Sequence, residues 1–198
     1  MGVSANFLTF LGLSLAFATA FLIYIGSLWW AGAFLLLSGL ADLLDGAVAR
    51  ASRAASRFGG ILDSSLDRYG DGAVFAALVF YFLQHQKNLL AIFAMSALIG
   101  SFLVSYVRAR AEREMENCRV GFWERGERVV YLALGLILNN LTVSVLVLGI
   151  GTHCTAIRRL WVARAGGLTA AQKNSSRNTA LYSIQCFALL SVLFLKKT

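Results

Sequence analysis

Asp42-Leu-Leu-Asp45-Gly46-Ala-Val-Ala49-Arg50, then eight residues, then Gly59-Gly-Ile-Leu-Asp63-Ser-Ser-Leu-Asp67: this stretch sets four carboxylates into a chain otherwise composed for lipid. Asp42 and Asp45 are spaced i,i+3 and Asp63, Asp67 and Asp71 are spaced i,i+4,i+8, so each set falls on one face of a helix. Two adjacent helices thus aim carboxylates at a shared point. Unpaired acids in such a place repel one another and are costly to desolvate, so the cluster calls for cations. An all-oxygen donor set selects hard ions, Mg²⁺ or Mn²⁺, and two such ions can bridge a pyrophosphate and orient in-line attack on it. Asp42, Asp45 and Asp63 read as ligands. Asp67, one turn further on, is placed to take a proton from an attacking hydroxyl. Gly46 and Gly59 allow close approach of a nucleotide, Ala49 keeps the wall thin, and Arg50 can hold a pyrophosphate oxygen. The bland alternative, a salt-bridge network with Arg50, Arg53, Arg57 and Arg68, leaves the facing spacings and the interleaved glycines unexplained.

The surrounding chain supplies the setting. Of 198 residues 58% are hydrophobic and 14% charged, against about 25% charged in soluble domains. Mean hydropathy is +0.69 and there is no proline. Apolar runs cover Phe7–Ile25, Leu28–Leu44, Ile61–Leu83, Leu89–Val107 and Val129–Ile157. The last would be about 44 Å long as one helix, too long for one easy crossing. Asn139-Asn140 near its middle suits a turn. Splitting there, with the fifth helix starting near Phe122 and the sixth ending near Arg164, predicts an all-α, polytopic membrane protein with six transmembrane helices. A shorter apolar segment, Ala180–Leu195, fits a seventh span, a surface helix or a tail equally well. Residues 1–165 therefore form the membrane domain and 166–198 a polar linker with a short hydrophobic end. The first apolar run lacks a basic leader and reads as a retained span.

Charge placement supports six crossings. All Lys and Arg except Lys87, Lys196 and Lys197 fall on one face, together with every Asp and Glu. That bias puts the charged face, and the aspartates with it, in the cytoplasm. The net charge of +8 is then spread over helix ends in a membrane, which argues against a nucleic-acid partner. Cys118, Cys154 and Cys186 read as unpaired packed thiols, His153 as a packed polar residue, His85 as an interfacial one, and Trp29, Trp30, Trp123 and Trp161 as interface aromatics.

The quoted stretch resembles the signature of the CDP-alcohol phosphotransferase family, D-x2-D-G-x2-A-R-x8-G-x3-D-x3-D, with every fixed position filled by Asp42, Asp45, Gly46, Ala49, Arg50, Gly59, Asp63 and Asp67. The resemblance implies that the first three aspartates hold two metal ions, that Asp67 is the base, and that the glycines and Arg50 line the CDP site. It further implies a CDP-linked lipid donor, release of CMP in phospholipid biosynthesis, and a homodimer. Three more segments, Ser105-Tyr-Val-Arg108-Ala-Arg110-Ala-Glu112, Glu124-Arg125-Gly-Glu127-Arg128 and Ala156-Ile-Arg158-Arg159, lie at the same end and offer a cationic pocket for an acceptor that itself carries phosphate. They are similar to the matching segments of prokaryotic phosphatidylinositol-phosphate synthases, which implies inositol 1-phosphate as acceptor, held by Arg108, Arg128 and Arg159. Glycerol 3-phosphate or another alcohol as acceptor, and a non-catalytic transporter or scaffold, stay open at this point.

Overall fold

A segment in lipid must satisfy every backbone N–H and C=O internally, and a run of Leu, Phe, Ala and Val without proline does so by coiling. The computed structural model describes residues 5–51, 57–112 and 120–164, and these are helical, with no strand among them. Helix α1 spans Ala5–Tyr24, α2 Leu28–Ala51, α3 Arg57–Gln84, α4 Asn88–Ala111, α5 Arg125–Ile137 and α6 Leu141–Arg164. The segment Ala180–Leu195 lies outside the described residues.

Phe7–Tyr24, Leu28–Gly46, Asn88–Ala111 and Leu141–Arg164 are each long and apolar enough to cross a bilayer, which makes this a multi-pass membrane protein. The other two helices are different in kind. α3 has 28 residues, and its first half carries Asp63, Asp67, Arg68 and Asp71. α5 has 13, about 20 Å of helix against a hydrocarbon core of about 30 Å. It begins at Arg125, not near Phe122. Gly121 holds φ at +100° and Glu124 is extended, so the chain reaches α5 through a turn and an extended residue. The turn at Asn139-Asn140 is where the sequence places it. Asn139 takes φ of 54°, a region asparagine tolerates, and the Asn140 N–H donates to the Gly135 carbonyl at 2.8 Å.

Each helix packs mainly on two others. α1 lies between α2 and α3, α4 between α3 and α6, and α5 between α2 and α6, which closes a ring. Small residues set the close contacts, as in membrane helix pairs generally. A Cβ on Gly135 would land on the Ser144 hydroxyl, one on Gly100 would strike Thr152, and one on Gly149 would stand 2.9 Å from Phe93. Outward, Phe7, Phe21, Leu43, Leu89, Ile92 and Ile157 are exposed, an apolar surface suited to lipid.

Two expectations are corrected. Trp123 is buried rather than interfacial: it sits edge-on to Phe122 and Tyr131, in space that Gly151 leaves by having no side chain. Cys154 is exposed rather than packed; it lies on α6, whose inner face is filled by Thr152, Thr155 and Ala156. Trp29, Trp30 and Trp161 are exposed at helix ends as expected, and His153 is tied to the Ser96 carbonyl at 3.0 Å.

Gly100→Val tests the ring. The added side chain must push α4 off α6, and overpacking of this kind costs about 1–3 kcal/mol. A clear fall in the thermal unfolding midpoint in detergent is the expected outcome, while Gly60→Val, where a Cβ would meet nothing within 4 Å, should leave it nearly unchanged.

Candidate active site

The acidic periodicity of the sequence survives in three dimensions, with one difference. α2 and α3 do not pack extensively on each other; both rest on α1. Their acidic faces meet across the opening between them. Asp45 is buried and accepts a hydrogen bond from Thr9 Oγ1 of α1 at 2.9 Å. Asp42 lies against Gly12 of α1, its Oδ1 only 2.9 Å from where a Cβ would stand. Asp63 is near enough to Asp45 for their charges to repel, and Asp67 is repelled by Asp63, Asp71 and Asp45. The acids are thus one electrostatic unit drawn from two helices.

What gathers them is Arg125, in the first turn of α5. Its Nη1 pairs with Asp42 of α2 and, at 3.0 Å, with Asp67 of α3, while Nε stands 3.5 Å from Asp71. Arg128, one turn on, is 3% exposed and donates to Asp71 Oδ2 at 3.0 Å and to the Trp123 carbonyl at 2.9 Å. The Nε atoms of both arginines are buried without a hydrogen bond.

The three arginines expected to hold the acceptor phosphate come together. Arg159 is 1% exposed, and its guanidinium donates to the Val120 carbonyl at 2.7 Å, the Val104 carbonyl at 2.8 Å and Glu124 at 3.3 Å. It therefore clamps the turn before α5 onto α4. Arg108 is freer, paired with Glu112 at 2.9 Å and Glu124 at 3.5 Å. Arg108, Arg128 and Arg159 line a cavity of about 310 Å³ together with Asp67, Arg68, Asp71 and Arg125. That is the lower end of the usual range for small-molecule sites.

Among the other expected residues, Gly46 is half-buried on α2 and Gly59 half-buried at the start of α3. Ala49 and Arg50 belong to the last turns of α2, and their side chains lie outside the described residues. Thr9 has no role in the sequence reading, and Arg125 and Glu124 enter it only as members of the segment that offers a cationic pocket. Arg125 carried a usable signal, since it precedes Arg128 by three residues and so shares its helical face.

Among the described residues no three acidic, histidine or cysteine side chains stand in the arrangement of a metal shell; the carboxylates spread around the Arg125 guanidinium instead. The donor set nevertheless suits a divalent ion. It is all oxygen, it comes from two separate helices, and it already surrounds a positive charge.

A lipid-embedded helical ring that collects carboxylates and arginines at one end is built to handle a charged headgroup. Residues 2–157 match the family model described as CDP-alcohol phosphatidyltransferase, and the chain belongs to that family. It is 33% identical over 174 residues to the phosphatidylinositol phosphate synthase of Mycolicibacterium smegmatis, covering 82% of this chain and 78% of that one. It is 32% identical over 165 residues to the archaetidylinositol phosphate synthase of Pyrococcus horikoshii, covering 83% and 85%. Among solved structures, the Mycobacterium tuberculosis phosphatidylinositol phosphate synthase with CDP-DAG bound aligns with a TM-score of 0.75 at 31% identity, covering 82% of this chain and 87% of that one. The same enzyme in complex with manganese and citrate aligns with a TM-score of 0.76 at 31% identity, covering 82% and 83%. The protein is therefore a membrane transferase of the CDP-alcohol phosphotransferase type.

The Asp71–Arg128 pair makes a direct test of the site's scaffold. Asp71→Ala strands a buried guanidinium, a change that costs about 3 kcal/mol or more. The single variant should unfold well below the wild type in detergent, and the double variant Asp71→Ala/Arg128→Met should recover part of that loss.

Proposed function

We propose that this enzyme moves a phosphatidyl-type group from a CDP-linked lipid, CDP-diacylglycerol or its ether counterpart, to inositol 1-phosphate and releases CMP. The observation that carries the reading is that Asp67 opens on the same cavity as Arg108, Arg128 and Arg159. A base and a set of phosphate-binding cations share one space, as an acceptor bearing both a hydroxyl and a phosphate requires. The inositol phosphate synthases among its relatives supply the identity of that acceptor.

Asp42, Asp45, Asp63 and Asp67 would hold two divalent ions, Mg²⁺ or Mn²⁺. Such ions, when bound, neutralise the pyrophosphate and the departing phosphate. Gly46, Ala49, Arg50 and Gly59 line the CDP site with Asp42, Asp45 and Asp63. Arg128 and Arg159 hold fixed positive charge at the floor of the cavity, and Arg108 closes on the acceptor phosphate by exchanging Glu112 for it. Asp67 takes the proton of the acceptor hydroxyl. The hydroxyl oxygen bonds to the lipid-side phosphorus, the bond from that phosphorus to the bridging oxygen breaks, and the electron pair leaves with CMP.

In this reading all six helices cross the membrane, and the charged end faces the cytoplasm, as the one-sided placement of Arg and Lys supports. α5 is short because its charged first turn begins inside the bundle, where Arg128 is buried. Residues 166–198, polar and then apolar in sequence, lie outside the described residues. The family resemblance supports a homodimer, which the mass of the detergent-solubilised protein checks.

Asp67→Asn should lower CMP release by roughly a thousandfold while the protein stays folded. Arg108→Gln should raise KM for inositol 1-phosphate by roughly tenfold with little change in KM for the CDP-lipid. Chelation of divalent ions should abolish turnover and Mg²⁺ or Mn²⁺ restore it. Radiolabelled inositol 1-phosphate and glycerol 3-phosphate, assayed in parallel, decide the acceptor; product from glycerol 3-phosphate alone would overturn the assignment.

A further inference from the structure

Arg125 is bonded unlike the other buried arginines of the site. Arg159 gives each guanidinium nitrogen its own acceptor, two of them backbone carbonyls that stay in place whatever binds nearby. The terminal nitrogens of Arg128 likewise have separate acceptors, Trp123 O and Asp71. Arg125 instead divides one nitrogen, Nη1, between Asp42 and Asp67, while its Nε stands 3.5 Å from the Asp71 carboxylate. Its ion-pair partners among the described residues are carboxylates of Asp42, Asp67 and Asp71. These carboxylates come from two helices, α2 and α3, that do not pack extensively on each other.

From this we infer that Arg125 is a built-in, exchangeable counter-cation: its guanidinium and a divalent ion compete for the oxygens of Asp42 and Asp67. The inference rests on the reading of those aspartates as ion ligands. Its physical basis is simple. Carboxylates at this depth repel one another unless a positive charge stands between them, and the guanidinium provides one. An ion that takes Asp42 and Asp67 as ligands brings like charge to the point between them that Nη1 occupies. Arg125 must then withdraw, and it has somewhere to go, because it also lines the cavity beside Asp71 and Glu124. The residue holds α2, α3 and α5 together without an ion, at the expense of ion affinity.

The test measures Mn²⁺ affinity directly, by electron paramagnetic resonance of free Mn²⁺ on purified protein in detergent, without substrate or turnover. Arg125→Gln removes the competitor and should tighten Mn²⁺ binding by roughly tenfold, the worth of about one charge-assisted contact. Arg110→Gln removes the same charge from an exposed position on α4 and should leave Kd nearly unchanged. In chelator, Arg125→Gln should also melt below the wild type, and Mn²⁺ should raise its Tm by more than it raises that of the wild type. Should Arg125→Gln not survive purification, Arg125→Lys serves: a point charge cannot span both carboxylates as well, so its Mn²⁺ binding should be tighter than wild type, though less so. Folded Arg125 variants that bind Mn²⁺ no better than wild type would overturn the inference and leave the metal site standing. A wild type that binds no Mn²⁺ would overturn both.

Discussion

Negative charge held in a low-dielectric bundle is the constraint on which the rest of this protein depends. Asp42 and Asp45 come from one helix and Asp63, Asp67 and Asp71 from another, where Arg68 offsets only part of their charge. The fold answers with arginines from a third helix, α5. That helix is too short to be explained by spanning length, and its start is fixed by Arg125 reaching α2 and α3 and by Arg128 reaching Asp71. The turn before it is pinned in turn by Arg159. Charge pairing thus sets the position of α5, and α5 sets the floor of the cavity. Aliphatic packing closes the ring elsewhere, mostly where a glycine lets two backbones meet.

The sequence carried the helices and the chemistry further than the assembly. Long apolar runs without proline mark their own spans, and the Asn139 turn is visible because asparagine tolerates a backbone region that Leu and Val avoid. The aspartate spacing likewise fixes which acids share a face. Helix order around the ring is not written in any single segment. It depends on pairs such as Gly135 with Ser144 and Gly100 with Thr152, which are far apart in the chain and look ordinary one at a time.

The misjudged residues share a cause. Trp123 reads as interfacial by its place at a helix end, yet Gly151 on α6 makes a socket for it. Arg125 reads as part of a segment that offers a cationic pocket to the acceptor, yet it is turned onto Asp42 and Asp67 of two other helices. In both cases the deciding contact is with a distant element, so local pattern does not show it. Arg128 and Arg159 were found from family likeness, and the structure adds that their charge is fixed by Asp71 and by backbone carbonyls, whereas Arg108 is held only by two partly exposed glutamates.

Among the described residues the cavity is walled by α3, the end of α4, the start of α5 and α6, with nothing from α1 or α2. The nucleotide signature, by contrast, is divided between α2 and α3. Among the described residues α3 is thus the helix common to both, and Asp67 stands on it. On the assignment proposed above, side chains on α4 and α6 bear on the acceptor and stand apart from the signature residues of α2. With that assignment, a change of acceptor would call for new side chains on two helices and no change to the signature itself.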